Sequence, residues 1–408
     1  MSAGRFDTPD RSPRLTARRL KVALDARKLA REKDGIGHYV YHLARGLAAL
    51  DSGISVFLLV DRELTLDDLP SGCHQVVLGS FHPSSELRGM LYSPWWVERH
   101  VAPYISSGAI DLYHGTNFVL PHRSGCPMVV TIHDLAFVRR PDAYSHLYRA
   151  YMKCQLQNSL SRAEHVVADS VSTSIDIVRA VPSASEDVTV LHLGVGDAFR
   201  VVRDERHLGV TRAQMGIRGR FLLHVGTLEP RKNAGLLIEA GARLIGRGLI
   251  DQVVFAGRAG RDSLKLRVAA ARSGIEDSVV FLGYVSEEQL VALYNTADIV
   301  VVASSCEGFG LPAVEAMACG TPVVLSRTSS LPEVAGSAAS YFSSGSADSL
   351  EAVIERLLVD RSLYNEMAKR GIDWAVRYSW EGTARGHVQV YQQAIRKWMM
   401  RRRLSHRW

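Results

Sequence analysis

The chain reads as an α/β protein of two doubly wound domains that face each other across a cleft. Three observations predict this. Short apolar runs recur along the sequence, with helical patterns between most of them. The series of runs stops near residue 196 and starts again at residue 221, so the pattern occurs twice. The chain has 408 residues, 47% of them hydrophobic and 22% charged, which suits two ordinary globular domains.

The elements follow in order. Residues 20–25 form the first apolar run, read as a strand. Gly35-Ile36-Gly37 comes next, then a helical pattern over residues 39–50. Further strand-like runs lie at residues 55–59, 75–78, 111–113, 128–132, 165–168 and 188–191. Leu193-Gly194-Val195-Gly196 marks a boundary, and a polar stretch leads to Arg220. The second series runs through residues 221–225, 253–256, 279–282, 299–303 and 323–325, and the segment after Tyr378 is again helical in pattern. The expected division is a disordered tail at residues 1–19 and Rossmann-like domains at 20–196 and 197–378. A helical, basic end occupies residues 379–408.

Composition excludes several classes. No apolar run approaches the ~18 residues that a membrane-spanning helix needs. Residues 1–19 are rich in Arg, Ser, Pro and Asp and lack the apolar core of a secretory signal, so they read as disordered. Cys73, Cys126, Cys154, Cys306 and Cys319 are scattered and show no metal spacing. Reduced thiols in a cytoplasmic protein are the expectation. The net charge of +7 is localised: from Gly382 to the end there are seven Arg or Lys residues and no acid, and the rest is balanced. That pattern does not fit a nucleic-acid binder.

Residues 307–326 carry the most chemistry. The run at 299–303 reads as a buried strand, Pro312 stands where a helix would start, and Gly320 where it would end. This places a glycine-containing loop at the carboxyl end of a parallel sheet, where open α/β sheets bind ligands. Gly308 and Gly310 admit close backbone approach, and the N–H groups from Leu311 onward point outward as an anion site. Glu307 and Glu315 flank this turn with seven residues between them, one on the loop and one in the first helical turn. They are placed to grip hydroxyls on either side of a bound phosphate. Arg231 and Lys232 follow another strand and the Gly226 turn, where two cations can neutralise a departing diphosphate. The bland alternatives are a solvated loop pair for the cations and a helix-dipole acid for Glu315. His133 ends the strand at 128–132. His114, in His114-Gly-Thr-Asn117, is either a second site histidine or a structural one.

The spacing of Glu307 and Glu315 resembles the E-x7-E motif of the family-4 retaining glycosyltransferases, which have the GT-B fold. Gly226-Thr-Leu-Glu-Pro-Arg231-Lys232-Asn233 is similar to the family's phosphate-binding segment. Phe281-Leu-Gly283-Tyr284-Val285, with Leu290 and Tyr294, is similar to its base-binding segment. Three ordered motifs at family-like spacing, over nearly all of residues 20–385, are a specific match. The resemblance implies a nucleotide-diphospho sugar donor, GDP-mannose or a UDP-sugar, and a saccharide or lipid-linked acceptor. It assigns Glu315 to the ribose hydroxyls, Glu307 to the reacting face of the transferred sugar, and His133 to the sugar pocket. Gly37 belongs to a glycine loop that closes over the donor, and Gly226, Gly283, Tyr284, Val285, Gly310 and Leu311 to the donor site. Tyr378-Ser-Trp380-Glu is similar to the start of the family's helix that crosses back to the N-terminal domain. The segment around Arg231 is common in mannosyltransferase-like members.

No Asp-x-Asp occurs, so the two-carboxylate metal grip of the other large glycosyltransferase fold is missing. The expectation is a metal-independent, cofactor-free enzyme in which Arg231, Lys232 and helix N-termini do the work of Mg²⁺. Zinc spacings and nucleophile elbows are absent, which leaves hydrolase and metalloenzyme readings unsupported. A GT-B epimerase and a catalytically silent sugar-nucleotide-binding subunit are the alternatives. Two aromatic stretches, residues 91–96 and the cation-rich 398–408, suit either an anionic membrane surface or, more plainly, a packed helix and a solvated end.

Overall fold

The computed structural model describes residues 19–29, 33–50, 53–79, 92–184 and 186–405. The expected disordered tail falls almost wholly outside them, as do Leu91 and residues 406–408. Two parallel sheets organise the described residues. The first contains β1 (Leu20–Asp25), β2 (Ile54–Val60), β3 (Cys73–Val77), β4 (Leu112–Gly115), β5 (Met128–Ile132), β6 (His165–Ala168) and β7 (Val188–Val190). Their order is β3-β2-β1-β4-β5-β6-β7. The second contains β8 (Phe221–Val225), β9 (Gln252–Ala256), β10 (Val279–Gly283), β11 (Ile299–Val302), β12 (Val323–Ser326) and β13 (Ser340–Phe342), ordered β10-β9-β8-β11-β12-β13. These are two doubly wound α/β units, as the recurring runs predict. β4, β5, β6, β9, β11 and β12 are buried at every position. Helices cover both faces of each sheet, so these strands read as continuous apolar runs rather than alternating ones. Three-residue β13 has too little apolar sequence to be read that way.

The strand order reverses between β1 and β4 and again between β8 and β11. At such a point the crossover helices leave to opposite faces and a crevice opens at the carboxyl strand ends. β8 and β11 pair directly, with Ile299 opposite Leu222 and Val300 opposite Leu223. The loops that follow them therefore emerge side by side, although 75 residues separate Lys232 from Glu307.

Two local expectations are corrected. The first helix spans Gly35–Ala49, not residues 39–50, because the Asp34 carboxylate caps it by accepting from the Gly37 N–H at 3.0 Å. Gly35 and Gly37 thus lie in the first helical turn. In the second domain Gly310, not Pro312, opens the Leu311–Ala318 helix, with φ of 106°. Glu315 consequently lies in the second turn rather than the first.

The last helix, Trp380–Ser405, packs along Gly35–Ala49. Trp380, Ala384, Tyr391 and Ala394 share a core with Tyr39, Val40, Leu43 and Leu47. His114 belongs to this joint. It is fully buried, with Nδ1 2.9 Å from the Tyr391 hydroxyl and Nε2 2.8 Å from Thr131 Oγ1. Burial holds its pKa well below the ordinary range, so it is a structural, neutral histidine. The basic end is not a free tail up to Ser405. Arg385 pairs with Glu381, Lys397 with Asp187, and Arg401 lies 3.8 Å from Glu164. Of the first aromatic cluster, Trp96 is fully buried with the Arg27 guanidinium 4.4 Å from its ring, and Trp95 is 45% exposed.

Candidate active site

Arg231, Lys232 and Glu307 meet at the carboxyl ends of β8 and β11. Pro230–Lys232 forms a single 3₁₀ turn, ended by Asn233 in the left-handed region at φ 50°. This turn aims both cations at the neighbouring loop. Lys232 Nζ donates to Glu307 Oε1 at 2.6 Å, and Arg231 Nη1 donates to Oε2 at 3.2 Å. Ser304 Oγ donates to Oε1 at 2.5 Å. Lys232 and Glu307 are each only 8% exposed. Burial opposes the charge on Glu307, but Lys232 and Arg231 outweigh it and hold the carboxyl at about 2. Burial lowers the Lys232 pKa, and Glu307 acts against that shift. The cluster is two cations around one ionised carboxylate, and both cations also feel the Asp134 charge. Gly226, at φ 140°, lies under the lysine: a Cβ there would come 3.5 Å from Lys232 Nζ.

Glu315 lies deeper. Its Oε2 accepts from the Tyr294 hydroxyl at 2.9 Å. Burial raises its pKa to about 7, against the Tyr294 hydrogen bond, and the Glu287 charge adds to the rise. Gly310 must remain glycine-like, because its φ is positive and a Cβ would lie 2.8 Å from Leu331 Cδ2. Gly283 ends β10 at φ 72°, with Tyr284 45% exposed beside it and the Arg258 guanidinium 5.6 Å from the Tyr284 ring. Val285 packs against the core cluster that includes Tyr294.

The N-terminal sheet presents His133 to this loop. A Cβ on Gly308 would lie 1.9 Å from the His133 carbonyl oxygen, so the two halves touch through bare backbone here. The Thr173 hydroxyl lies 3.2 Å from the same carbonyl oxygen and 3.4 Å from that of Gly308. The His133 ring is engaged on both sides: Nε2 donates to the Thr116 carbonyl at 2.9 Å, and Nδ1 lies 2.7 Å from Asp169 Oδ2. Burial lowers its pKa, but the Asp169 carboxylate more than compensates and holds it above the ordinary value. In this arrangement the ring is fixed by its own domain, with both nitrogens engaged. The Gly37 N–H is committed to the Asp34 cap. Asp34 also feels the Arg258 charge from the other half.

Residues 212–374 match the family model of group 1 glycosyl transferases, and residues 33–199 that of Glycosyltransferase Family 4. An O-antigen chain mannosyltransferase B of Escherichia coli is 31% identical over 299 residues, covering 73% of this chain and 76% of that one. The chain is a family-4 glycosyltransferase. An MMP alpha-(1->4)-mannosyltransferase of Mycolicibacterium hassiacum is 28% identical, covering 92% of this chain and 98% of the other. A serotype-specific mannosyltransferase of Escherichia coli is 28% identical, and the match spans 57% of this chain and 29% of that longer relative. Among solved structures, the sucrose-phosphate synthase of Thermosynechococcus elongatus superposes with a TM-score of 0.75 at 22% identity, over 92% of this chain and 99% of that one. It shares the GT-B fold.

Several residues of this glycosyltransferase's site escape a sequence reading. Ser304 supplies a third donor to Glu307. Ser329 accepts from the Glu307 N–H at 2.8 Å, and its hydroxyl bonds the Glu307 carbonyl at 2.7 Å. Ser330 bonds the carbonyls of Glu307 and Phe309. Ser329 and Ser330 hold this loop from the segment after β12, Ser304 from the end of β11, and nothing in their local pattern marks them. Asp134 adds negative charge next to Arg231. Gly257, at φ 145°, is packed so that a Cβ would lie 2.2 Å from the Gly226 carbonyl oxygen. Its place after a predicted strand was the one available signal.

Proposed function

We propose that this glycosyltransferase moves a hexose, mannose in the reading its relatives favour, from a nucleotide-diphospho sugar to a hydroxyl of a saccharide or lipid-linked acceptor. We further propose retention of the anomeric configuration and no requirement for a metal. The observation that carries the reading is the Arg231–Lys232–Glu307 cluster at the β8/β11 switch point, with Glu307 three residues before Gly310, the cap of the Leu311–Ala318 helix. Two adjacent cations at a switch point, beside a helix start whose Leu311 N–H precedes Pro312, suit a diphosphate. The charge that develops on the departing diphosphate falls on groups already in place, which is where electrostatic catalysis is strongest. Glu307 at about pKa 2 is too weak a base to take the acceptor's proton at neutral pH. That assigns the proton to a phosphate oxygen of the leaving group, with the acceptor attacking from the face the diphosphate leaves. Glu307 then keeps the cations oriented and offers its remaining lone pairs to the sugar. Glu315 grips the ribose hydroxyls.

The test is a donor screen. UDP-, GDP- and ADP-sugars are compared by thermal shift, since a bound donor raises apparent stability by mass action. The best donor is then followed by hydrolysis and transfer, with the product anomer read by NMR. Stabilisation by a nucleotide sugar without any turnover sinks the enzyme reading in favour of a silent binding subunit. An inverted product sinks retention.

No helix of the described residues is long and apolar enough to cross a membrane. Peripheral contact with an anionic surface is proposed through the end of the last helix, where Met399, Met400 and Leu404 are exposed beside Arg402 and Arg403. Deleting residues 401–408 should abolish sedimentation with anionic vesicles at low salt. If the full chain does not pellet, the contact is refuted.

A further inference from the structure

A second cluster of ligating side chains joins the two halves outside the diphosphate site. His38 and His42 lie one turn apart on the Gly35–Ala49 helix, so both imidazoles share a face. Glu287 opens the Glu287–Thr296 helix of the other domain, directly after its Ser286 cap. One ligand atom from each of the three lies within 4.8 Å of the others. The trio is therefore assembled only where the two domains approach each other.

We propose that His38, His42 and Glu287 form a site for a Zn²⁺-class divalent cation that clamps the interdomain cleft. Two imidazoles and a carboxylate are the ligand set of a three-protein-ligand zinc site with an open fourth position. They are a poor set for Mg²⁺, which prefers oxygen ligands. His42 is pre-positioned without a hydrogen bond of its own among the described residues: its ring stacks on Trp380 at 5.0 Å and 10°. The nearby cations are already paired, Lys33 with Asp68 at 2.8 Å and Arg45 with Asp197 at 2.8 Å. On the acidic side, the next residue, Glu288, faces His207 instead, at 3.4 Å.

A cation held from both domains binds the closed form better than the open one and shifts the population toward it. Donor entry and product release need the cleft to open, so an occupied clamp slows turnover. Its ligands do not include Arg231, Lys232 or Glu307, although Glu287 is close enough to raise the Glu315 pKa, and its occupancy can be read without any activity.

The experiment titrates Zn²⁺ into the full chain by calorimetry, for the parent, His38→Gln and Glu287→Gln, with melting curves to verify each fold. Turnover is measured in parallel with Zn²⁺, with Mg²⁺, and after EDTA. The expected result is one equivalent bound by the parent and at least about tenfold weaker binding in each variant. Zn²⁺ should lower parental turnover, EDTA should restore it, and Mg²⁺ should do neither. Absence of saturable binding overturns the site. Loss in His38→Gln with none in Glu287→Gln reduces it to a helix-surface histidine pair and overturns the clamp. Binding without inhibition does the same. None of these outcomes bears on whether the donor binds at Arg231 and Lys232.

Discussion

Replacing Glu315 by glutamine should stabilise the fold and weaken the donor, and the stabilisation should depend on pH. Glu315 is buried, with the Tyr294 hydroxyl as the one donor to its carboxylate among the described residues. Its pKa rises from 4.5 to about 7, chiefly through burial. The folded chain therefore holds this proton more tightly than the unfolded chain. Below about pH 4.5 both states are protonated and ionisation costs nothing. Between there and about pH 7 the unfolded state ionises first and stability falls. Above about pH 7 the cost is complete, roughly 3 kcal/mol at ~1.36 kcal/mol per pKa unit. Glutamine does not ionise and can still accept from Tyr294. At pH 8 the variant should be more stable by up to about 3 kcal/mol, or roughly 6–12 °C for a domain of this size. At pH 5 the offset should shrink to about 1 kcal/mol or less, and at pH 4 to a few tenths. The donor should bind ~10- to 150-fold more weakly, from the loss of charge-assisted hydrogen bonds worth ~1.5–3 kcal/mol. Differential scanning calorimetry across pH 4–8 and donor titration at pH 8 measure both. A variant less stable than the parent at pH 8, or an offset that does not change with pH, refutes the buried-carboxylate account. Unchanged donor affinity refutes the ribose role.

Lys232→Ala should lower turnover ~100-fold. It should also lower the melting temperature, since Glu307 is left buried with Arg231 and Ser304 alone, and breaking a buried pair costs ~3–5 kcal/mol. Lys232→Ala with Glu307→Ala should recover melting but not turnover; recovered turnover would exclude the catalytic role. Transfer should survive EDTA at the parental rate or above, and restoration of a lost activity by Mg²⁺ or Mn²⁺ would rule out the metal-free reading. Gly308→Ala places a Cβ 1.9 Å from the His133 carbonyl oxygen, so small-angle scattering should show a wider cleft and kcat should fall. Unchanged scattering and kcat would show that the contact does not govern closure.

Much of the fold was legible because its strands are buried on both faces. β4, β5, β6, β9, β11 and β12 have no polar face, so each appears as an apolar block. Three-residue β13 and the exposed β3 were missed or misplaced for the opposite reason. Helix starts were less legible. Asp34 and Gly310 begin their helices through a cap and a positive φ, and neither leaves a periodic signal. Within the candidate site, Glu307, Glu315, Arg231 and Lys232 stood out by type and spacing. Ser304, Ser329 and Ser330 did not, because a serine that holds a loop looks like any other loop serine.

Sequence alone determined the two-sheet architecture, the family and the residue types at the strand ends. Tertiary structure decided how those residues are used. It gave Glu307 the counter-ions Lys232 and Arg231, because β8 and β11 pair across the switch point. It fixed both nitrogens of His133 on Asp169 and Thr116, and it made His114 a buried strut to Tyr391. It also met part of the basic end with Asp187 and Glu164, acids more than two hundred residues away in sequence. The physical reason is common to all of these. Local sequence encodes burial periodicity, but the charge and hydrogen-bond partners of a side chain come from distant strands and helices, which only the packed chain brings within reach.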